Sequence, residues 1–191
     1  MDVSDGRRGV ALVPLDAPLV HLGGITTALW APELDPEGPT LMSWALNNHW
    51  MVNFKASQGS EMPLCYRLTT HDGPCDDAAA ARFGAELATP PIVLRDYLRR
   101  GDASGTFLSI PEEAGVLLTA KPADDGDGLI VRLHNVRATA QDVPVQITAG
   151  RPASACLTSP LEVDGEPLPL DGTTVRVLVG TRAVQSLRVR L

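Results

Sequence analysis

The chain has 191 residues and a formal net charge of -7, and 44% of its residues are hydrophobic. This length allows one domain or two small ones, and the composition is typical of a globular protein, which excludes wholesale disorder. The acidic balance argues against nucleic acid as a partner, because phosphate binding needs a surplus of lysine and arginine. No apolar run approaches the roughly 20 residues of a membrane span, so we predict no membrane association.

The N-terminus and the cysteines bear on the cellular compartment. The chain begins with Met-Asp-Val-Ser-Asp, which has neither a basic region nor an apolar core, so we expect no secretory signal. It contains three cysteines, Cys65, Cys75 and Cys156. An odd count without an export signal is typical of reduced thiols, and we therefore expect a cytoplasmic location. A disulfide between Cys65 and Cys75 is the less favoured alternative.

The first 75 residues alternate short apolar segments with turns. Abundant proline and glycine favour short strands over long helices in such a segment. Within 63–70, Leu64, Tyr66 and Leu68 lie on one face and Cys65 and Arg67 on the other, a period of two that predicts a half-buried strand. Strands are expected at 9–15, 19–22, 25–30, 40–45 and 63–70.

One helix is predicted with several agreeing signals, at 76–87. Asp76 and Asp77 lie near its start, where the helix dipole favours negative charge, and a run of alanines follows. Pro90 and Pro91 end it. A second short helix at 93–100 is a further candidate.

From residue 106 onward the sequence has the pattern of a β-sandwich. Leu129, Val131 and Leu133 should point inward, with Ile130, Arg132 and His134 on the other face. Leu187, Val189 and Leu191 should oppose Arg188 and Arg190. Turns rich in aspartate and glycine are expected at 124–128, 164–165 and 171–172. Strands are expected at 106–110, 116–121, 129–134, 143–148, 155–158, 174–179 and 184–191.

Two segments contain residues that could bind a metal ion, but the spacing of these residues predicts that neither segment is a metal site. The acidic segment 124–128 lacks the bidentate acid that a calcium loop places twelve positions after its first ligand, so a hairpin turn is the better interpretation. His71, Cys75 and Asp76 lie close in sequence, but strong zinc signals come as two paired couples, and no second couple follows. The chain also has no Gly-x-Ser-x-Gly elbow, phosphate loop or paired carboxylates, so we assign no catalytic residue.

The segment 47–53 places polar amides among large side chains. Asn47, Asn48, Trp50 and Asn53 combine a ring that can stack with amides that can bind hydroxyl groups, which is typical of a surface facing a sugar or another domain. The alternative is a structural turn whose amides bind its own backbone. Composition leaves both interpretations open.

Several segments occur in a defined order along the chain. They are Gly9-Val10, Leu15-Asp16-Ala17-Pro18, Asn47-Asn48-His49-Trp50-Met51-Val52-Asn53-Phe54, Tyr66-Arg67-Leu68-Thr69-Thr70-His71, Arg82-Phe83-Gly84, Pro90-Pro91, and the acidic turn followed by Leu129-Ile130-Val131-Arg132-Leu133-His134-Asn135. In this order they resemble the C-terminal β-rich part of glycoside hydrolase family 38 α-mannosidases. The resemblance extends over about residues 9–191, and Val52 departs from it, because the family tends to place threonine there.

The resemblance implies an all-β fold with one or two short helices. Residues 1–115 would be the end of a galactose-mutarotase-like supersandwich, and residues 116–191 a small terminal β-sandwich. It also implies a surface that faces carbohydrate or a neighbouring domain. That surface would carry Asn47, Asn48, Trp50, Asn53, Arg67 and His71.

Full-length members of the family are retaining enzymes whose zinc ion and nucleophile lie in an N-terminal (β/α) barrel. No residue here corresponds to those groups, so we expect no catalytic residue, metal or cofactor in this chain and no mannosidase activity from it alone. The expected partners are the catalytic barrel of a larger or split mannosidase and an α-mannoside. The alternatives are an oligomerisation module or a stand-alone carbohydrate-binding module, whose stacking platforms would be Trp30, Trp44, Trp50 and Tyr66.

Overall fold

The computed structural model describes residues 1–25, 32–33, 35–46, 51, 55, 57, 59–93, 104–148 and 150–191. These residues form antiparallel sheets with a single α-helix, which confirms the predicted all-β sandwich class. The chain divides into two compact units, Met1–Asp76 and Asp77–Leu191. The boundary predicted at 115/116 stays a prediction. No helix of the described residues is long and apolar enough to cross a membrane.

The first unit contains a three-stranded and a two-stranded antiparallel sheet. The order in the larger sheet is β1-β2-β5, and β3 pairs with β4. The predicted strand at 25–30 falls, apart from Ile25, outside the described residues. The strands are β1 (Asp2–Ser4), β2 (Arg8–Pro14), β3 (Val20–Leu22), β4 (Leu41–Ser43) and β5 (Tyr66–Asp72).

The strand predicted at 63–70 forms as β5, and the residues predicted to share one face are unevenly buried. Leu68 is 66% exposed, whereas the partly buried residues of β5 are Tyr66 and His71. Among the described residues, β5 lies at the edge of its sheet and pairs with β2 alone. Alternation in sequence marks two faces, but it does not say whether another layer covers either of them.

The second unit begins with α1 (Asp77–Ala88), one residue later than predicted. The helix candidate at 93–100 falls, apart from Val93, outside the described residues. The strands that follow are β6 (Leu108–Ser109), β7 (Val116–Pro122), β8 (Leu129–Asn135), β9 (Gln141–Ile147), β10 (Ser154–Thr158), β11 (Asp164–Leu168), β12 (Leu170–Asp171), β13 (Thr174–Val179) and β14 (Val184–Arg190).

These strands build a sandwich around one apolar core. The five-stranded sheet has the order β11-β10-β14-β8-β7 and the four-stranded sheet β12-β13-β9-β6. Side chains from both sheets meet in one cluster, and burial of such aliphatic groups is the main stabilising term. Its fully buried members are Val131, Leu133, Val143, Val145, Ile147, Val175, Val177, Val179, Leu187 and Val189.

The outer face of the five-stranded sheet differs from the prediction. Val131, Leu133, Leu187 and Val189 point inward as expected, but Leu191 is 56% exposed. On the opposite face Ile130 and Arg188 are only 1% and 3% exposed. This burial follows from the loops that join the strands, because two of them fold back and bind Arg188.

One predicted turn is a strand. Asp164 and Gly165 begin β11, which pairs with β10, so the reversal lies earlier, in the loop 159–163. The predicted hairpin at 124–128 is confirmed, since Pro122 lies opposite Leu129 across it. The predicted turn at 171–172 is also confirmed, between β12 and β13.

Candidate functional site

The predicted carbohydrate- or domain-facing residues divide into two groups. Asn47, Asn48, Trp50 and Asn53 lie outside the described residues. Arg67 and His71 both lie on β5. Four positions apart on a strand, they point to the same face, with their Cα atoms roughly 13 Å apart.

His71 is paired with a residue that the sequence did not indicate. Its Nε2 lies 2.6 Å from Oδ2 of Asp2, and the two side chains are 26% and 7% exposed. The pair joins β5 to β1 across the intervening strand β2. The two residues are 69 positions apart, so no local spacing could have revealed the contact. It orients the His71 ring on this face of the sheet.

Gly9 provides the space for this pair. It lies directly opposite His71 in the ladder and opposite Ser4 on its other side. A Cβ atom at Gly9 would overlap the imidazole ring and lie 2.7 Å from Cβ of Ser4. Glycine is therefore required where the His71 ring crosses β2.

A groove of about 660 Å³, lined by both apolar and charged residues, lies beside His71. Ser4, Asp5, Arg8 and Asp72 are among its lining residues, so both charge signs are present. The backbone N–H groups of Arg8 and Arg7 donate to Asp5 and hold the pKa of its carboxyl below its usual value. The volume lies in the range of small-molecule sites.

Arg67 lies at the other end of β5. Its Nη1 donates to the carbonyl of Tyr66 at 3.2 Å, and its side chain is exposed. The Tyr66 hydroxyl in turn lies 2.7 Å from Oγ of Ser43, which links β5 to β4. Trp44, 51% exposed, follows and lines a cleft of about 380 Å³ with His21 and Met42. An aromatic surface is thus present in the first unit.

The second unit carries a cluster of ion pairs that the sequence did not predict. Arg188 Nη1 lies 2.7 Å from Asp125 Oδ1, and Arg188 Nε lies 2.8 Å from Asp164 Oδ1. The Arg188 guanidinium, helped by the backbone N–H of Asp127, lowers the pKa of Asp125 to about 2. Asp125 in return raises the pKa of Arg188.

Arg190 extends this cluster on the same face of β14. Its guanidinium lies 2.6 Å from both Asp127 and Asp164. The contact lowers the pKa of Asp164 and raises that of Arg190. The alternation of Arg188 and Arg190 along the strand was visible in the sequence, but the loop carboxylates that meet them could not be assigned from it.

No metal-binding group is found in the described part of the chain, where metal-ligating side chains do not gather in sets of three or more. The His71 ring, one of the zinc ligands considered from sequence, contacts Asp2 instead. Cys65 is an exposed thiol and Cys156 a buried one. None of these residues forms a constellation for nucleophilic or metal-assisted chemistry.

The family model described as "Glycosyl hydrolases family 38 C-terminal beta sandwich domain" matches residues 115–187. Over this stretch the chain is similar to the C-terminal β-sandwich domain of that glycosidase family. The matched range begins one residue before β7 and ends within β14, so it contains most of the nine-strand sandwich. No curated protein sequence matches the chain.

A buried asparagine at the end of β8 has a structural role. Asn135, which closes β8, is fully buried. Its Nδ2 donates to the carbonyls of Thr139 at 2.8 Å and Gly180 at 2.9 Å, and its Oδ1 accepts from the N–H of Arg137 at 2.9 Å. The side chain therefore fixes the turns after β8 and β13, and it is not available to a ligand.

Proposed function

We propose that this chain is the C-terminal β-rich part of a family 38 α-mannosidase-like protein. In this proposal it supports a catalytic barrel and the carbohydrate site, and it does not cleave glycosides alone. The observation that carries the proposal is the match of residues 115–187 to the family's C-terminal sandwich domain. Retaining hydrolysis needs a positioned nucleophile and acid, and we place both, with the family's zinc, in the partner barrel.

The first part of the chain, residues 1–115, would belong to the large sandwich next to that barrel. Exposed apolar residues support this role: Leu68 is 66% exposed on the edge strand β5, and Val10 is 40% exposed on β2. Open strand edges and apolar faces are suited to association with another domain. Residues 116–191 would form the separate terminal sandwich.

The surface around β5 is the proposed carbohydrate- or domain-facing surface. It would combine Asn47, Asn48, Trp50 and Asn53 with Arg67 and His71. The position of the last two on one face and the groove of about 660 Å³ beside His71 support it. An α-mannoside is the proposed ligand. We also propose a cytoplasmic location, where the exposed Cys65 would stay reduced.

Copurification tests this proposal. A family 38 catalytic region without its own C-terminal sandwich, carrying an affinity tag, is co-expressed with this chain. We expect a complex of defined mass that survives gel filtration. Separate elution of the two proteins at micromolar concentration would overturn the proposal.

A second candidate is a stand-alone carbohydrate-binding module. The exposed indole of Trp44 beside its cleft favours it, because sugars stack on such rings. Calorimetry with mannose oligosaccharides decides the question: heat that disappears in Trp44→Ala supports the module, and no heat at millimolar sugar removes it. The oligomerisation alternative is removed if light scattering shows a strict monomer.

A further inference from the structure

The loop 159–163 between β10 and β11 exposes two large apolar side chains. Leu161 is 87% exposed and Val163 is 65% exposed. The side chain of Glu162, which lies between them, is only 7% exposed. The usual distribution, with the charge outside and the aliphatic groups inside, is reversed here.

The backbone of Glu162 explains this reversal. Its φ is 64°, in the left-handed region that residues other than glycine rarely adopt. The Glu162 carboxylate is thereby held 2.6 Å from Nζ of Lys121, and it accepts the N–H of Asp124 at 2.8 Å. The N–H of Asp124 has the largest effect in lowering the pKa of Glu162, and Lys121 lowers it further. Strained positions of this kind are enriched at functional sites.

The loop is held rigidly by hydrogen bonds from several directions. Within it, Ser159 N donates to the Val163 carbonyl at 3.0 Å, and Glu162 N donates to the Ser159 carbonyl at 3.0 Å. From the sheet, Arg132 donates to the Pro160 carbonyl at 3.0 Å, and Arg188 donates to the Glu162 carbonyl at 3.0 Å. A fixed loop loses little conformational entropy on binding.

The surroundings of the loop are acidic on their exposed side. The side chains of Asp124, Asp125 and Asp127 are 82%, 58% and 59% exposed. Their basic partners are less exposed, with Lys121 at 40% and Arg188 at 3%. A second copy of this chain, with its net charge of -7, would be repelled here. A partner with a basic rim would be attracted.

We propose that the loop 159–163 is a docking element that inserts Leu161 and Val163 into an apolar pocket with a basic rim on a family 38 catalytic region. This inference rests on the proposed function and names the surface through which it acts. Apolar anchors at the centre of a polar rim are the arrangement of interface hot spots. The ion-pair cluster keeps both anchors in their binding position before the partner arrives.

The test measures the Kd between this chain and a purified family 38 catalytic region without its C-terminal sandwich. The loop variant is Leu161→Asp with Val163→Asp. The matched control is Leu178→Asp, because Leu178 is also exposed (70%) but lies on β13. We expect the loop variant to bind roughly 30-fold more weakly and the control to bind like wild type. Binding should also weaken as NaCl rises from about 50 to 500 mM.

The outcomes separate the two proposals. If wild-type protein binds and the loop variant binds within twofold of it, the docking element is overturned and the proposed function stands. If the loop variant and the control variant bind equally weakly, the docking element is overturned as well. If wild-type protein does not bind, both proposals fall. Circular dichroism checks that each variant folds. If the double loop variant does not fold, the milder Leu161→Ala is used in its place, and we expect it to weaken binding by about fivefold.

Discussion

Two glycines of the β7–β8 hairpin show how strongly one residue can depend on its surroundings. Gly128 has a φ of 95°, and a Cβ atom there would collide with the carbonyl oxygen of Val189 on the neighbouring strand β14. Gly126 has a φ of 79°, but a Cβ atom there would meet open space. Of these two glycines, only Gly128 combines a left-handed backbone with close packing against another strand.

We therefore predict different costs for alanine at these positions. Gly126→Ala should lower the free energy of unfolding by about 1 kcal/mol, from the backbone alone. Gly128→Ala should lower it by about 3 kcal/mol or more, because β14 must also move. Urea denaturation measures the free energy of unfolding of both variants. Equal losses would show that the neighbouring strand moves away from the Cβ atom at position 128 without a measurable loss of stability.

Asn135 carries a second prediction. Asn135→Ala leaves the buried carbonyls of Thr139 and Gly180 and the N–H of Arg137 without their amide partner. We expect a loss of about 3 kcal/mol in the free energy of unfolding. The exposed neighbour is the control, and His134→Ala should change it by less than about 0.5 kcal/mol. A cost for Asn135→Ala as small as the control's would contradict the role given to this side chain.

For single residues, the sequence predicts which face of a strand a side chain lies on better than it predicts what that side chain contacts. Alternation placed Val131 and Leu133 inside the sandwich, because a strand has a period of two. It could not predict that Arg188 is buried, since that depends on two loops that fold over the outer face. It could not pair His71 with Asp2 either, because the contact crosses a third strand.

The stability that the β7–β8 hairpin gives to the fold should decrease at acidic pH. The pKa of Asp125 is about 2 in the folded protein, below its usual value, because of Arg188. A lowered folded-state pKa stabilises the protein above the unfolded pKa of roughly 4, and this contribution is lost as pH falls toward 2. Stability should therefore decline between about pH 4 and 2.

Asp125→Asn tests this origin. The variant should be less stable than wild type at pH 7 and should lose less stability between pH 4 and 2. Urea midpoints at several pH values in this window give both slopes. Parallel slopes for the two proteins would mean that other carboxylates cause the decline.

The first sheet gives another prediction for an element. His71→Ala removes the contact with Asp2 that joins β5 to β1. Strand β1 should open more often, and the amide of Leu12, which donates to the Met1 carbonyl at 2.8 Å, should exchange with solvent roughly tenfold faster. Amides of β8, in the other unit, are the internal control. Unchanged exchange at Leu12 would show that the ladder alone holds β1.

Most strands of the second unit were predictable as elements, and one error is instructive. Asp164-Gly165 has the composition of a turn, yet it begins β11. The actual reversal uses Glu162 at a positive φ and contains no glycine. That conformation depends on Lys121 and Asp124 from another hairpin, so local turn signals could not identify it. The same tertiary contacts create the apolar tip proposed for docking.

At the scale of the whole chain, the two compact units differ in how much apolar surface their described residues leave exposed. The family 38 C-terminal domain model matches most of the sandwich, over residues 115–187, and the apolar core there is buried. The first unit instead leaves Leu68 and Trp44 more than half exposed. Of the proposed carbohydrate- or domain-facing surface, the sequence placed Arg67 in a strand. The strand predicted at 63–70 ended one residue before His71, and the contact of His71 with Asp2 could not be predicted.

In the function proposed above, this chain completes a family 38 α-mannosidase-like enzyme. The most direct measurement is hydrolysis of an aryl α-mannoside by three preparations: this chain alone, a family 38 catalytic region without its C-terminal part, and the two together. We predict hydrolysis only by the two together, because the barrel supplies the chemistry and this chain supports its site. Robust hydrolysis by this chain alone, or no gain when the two are combined, would contradict the claim.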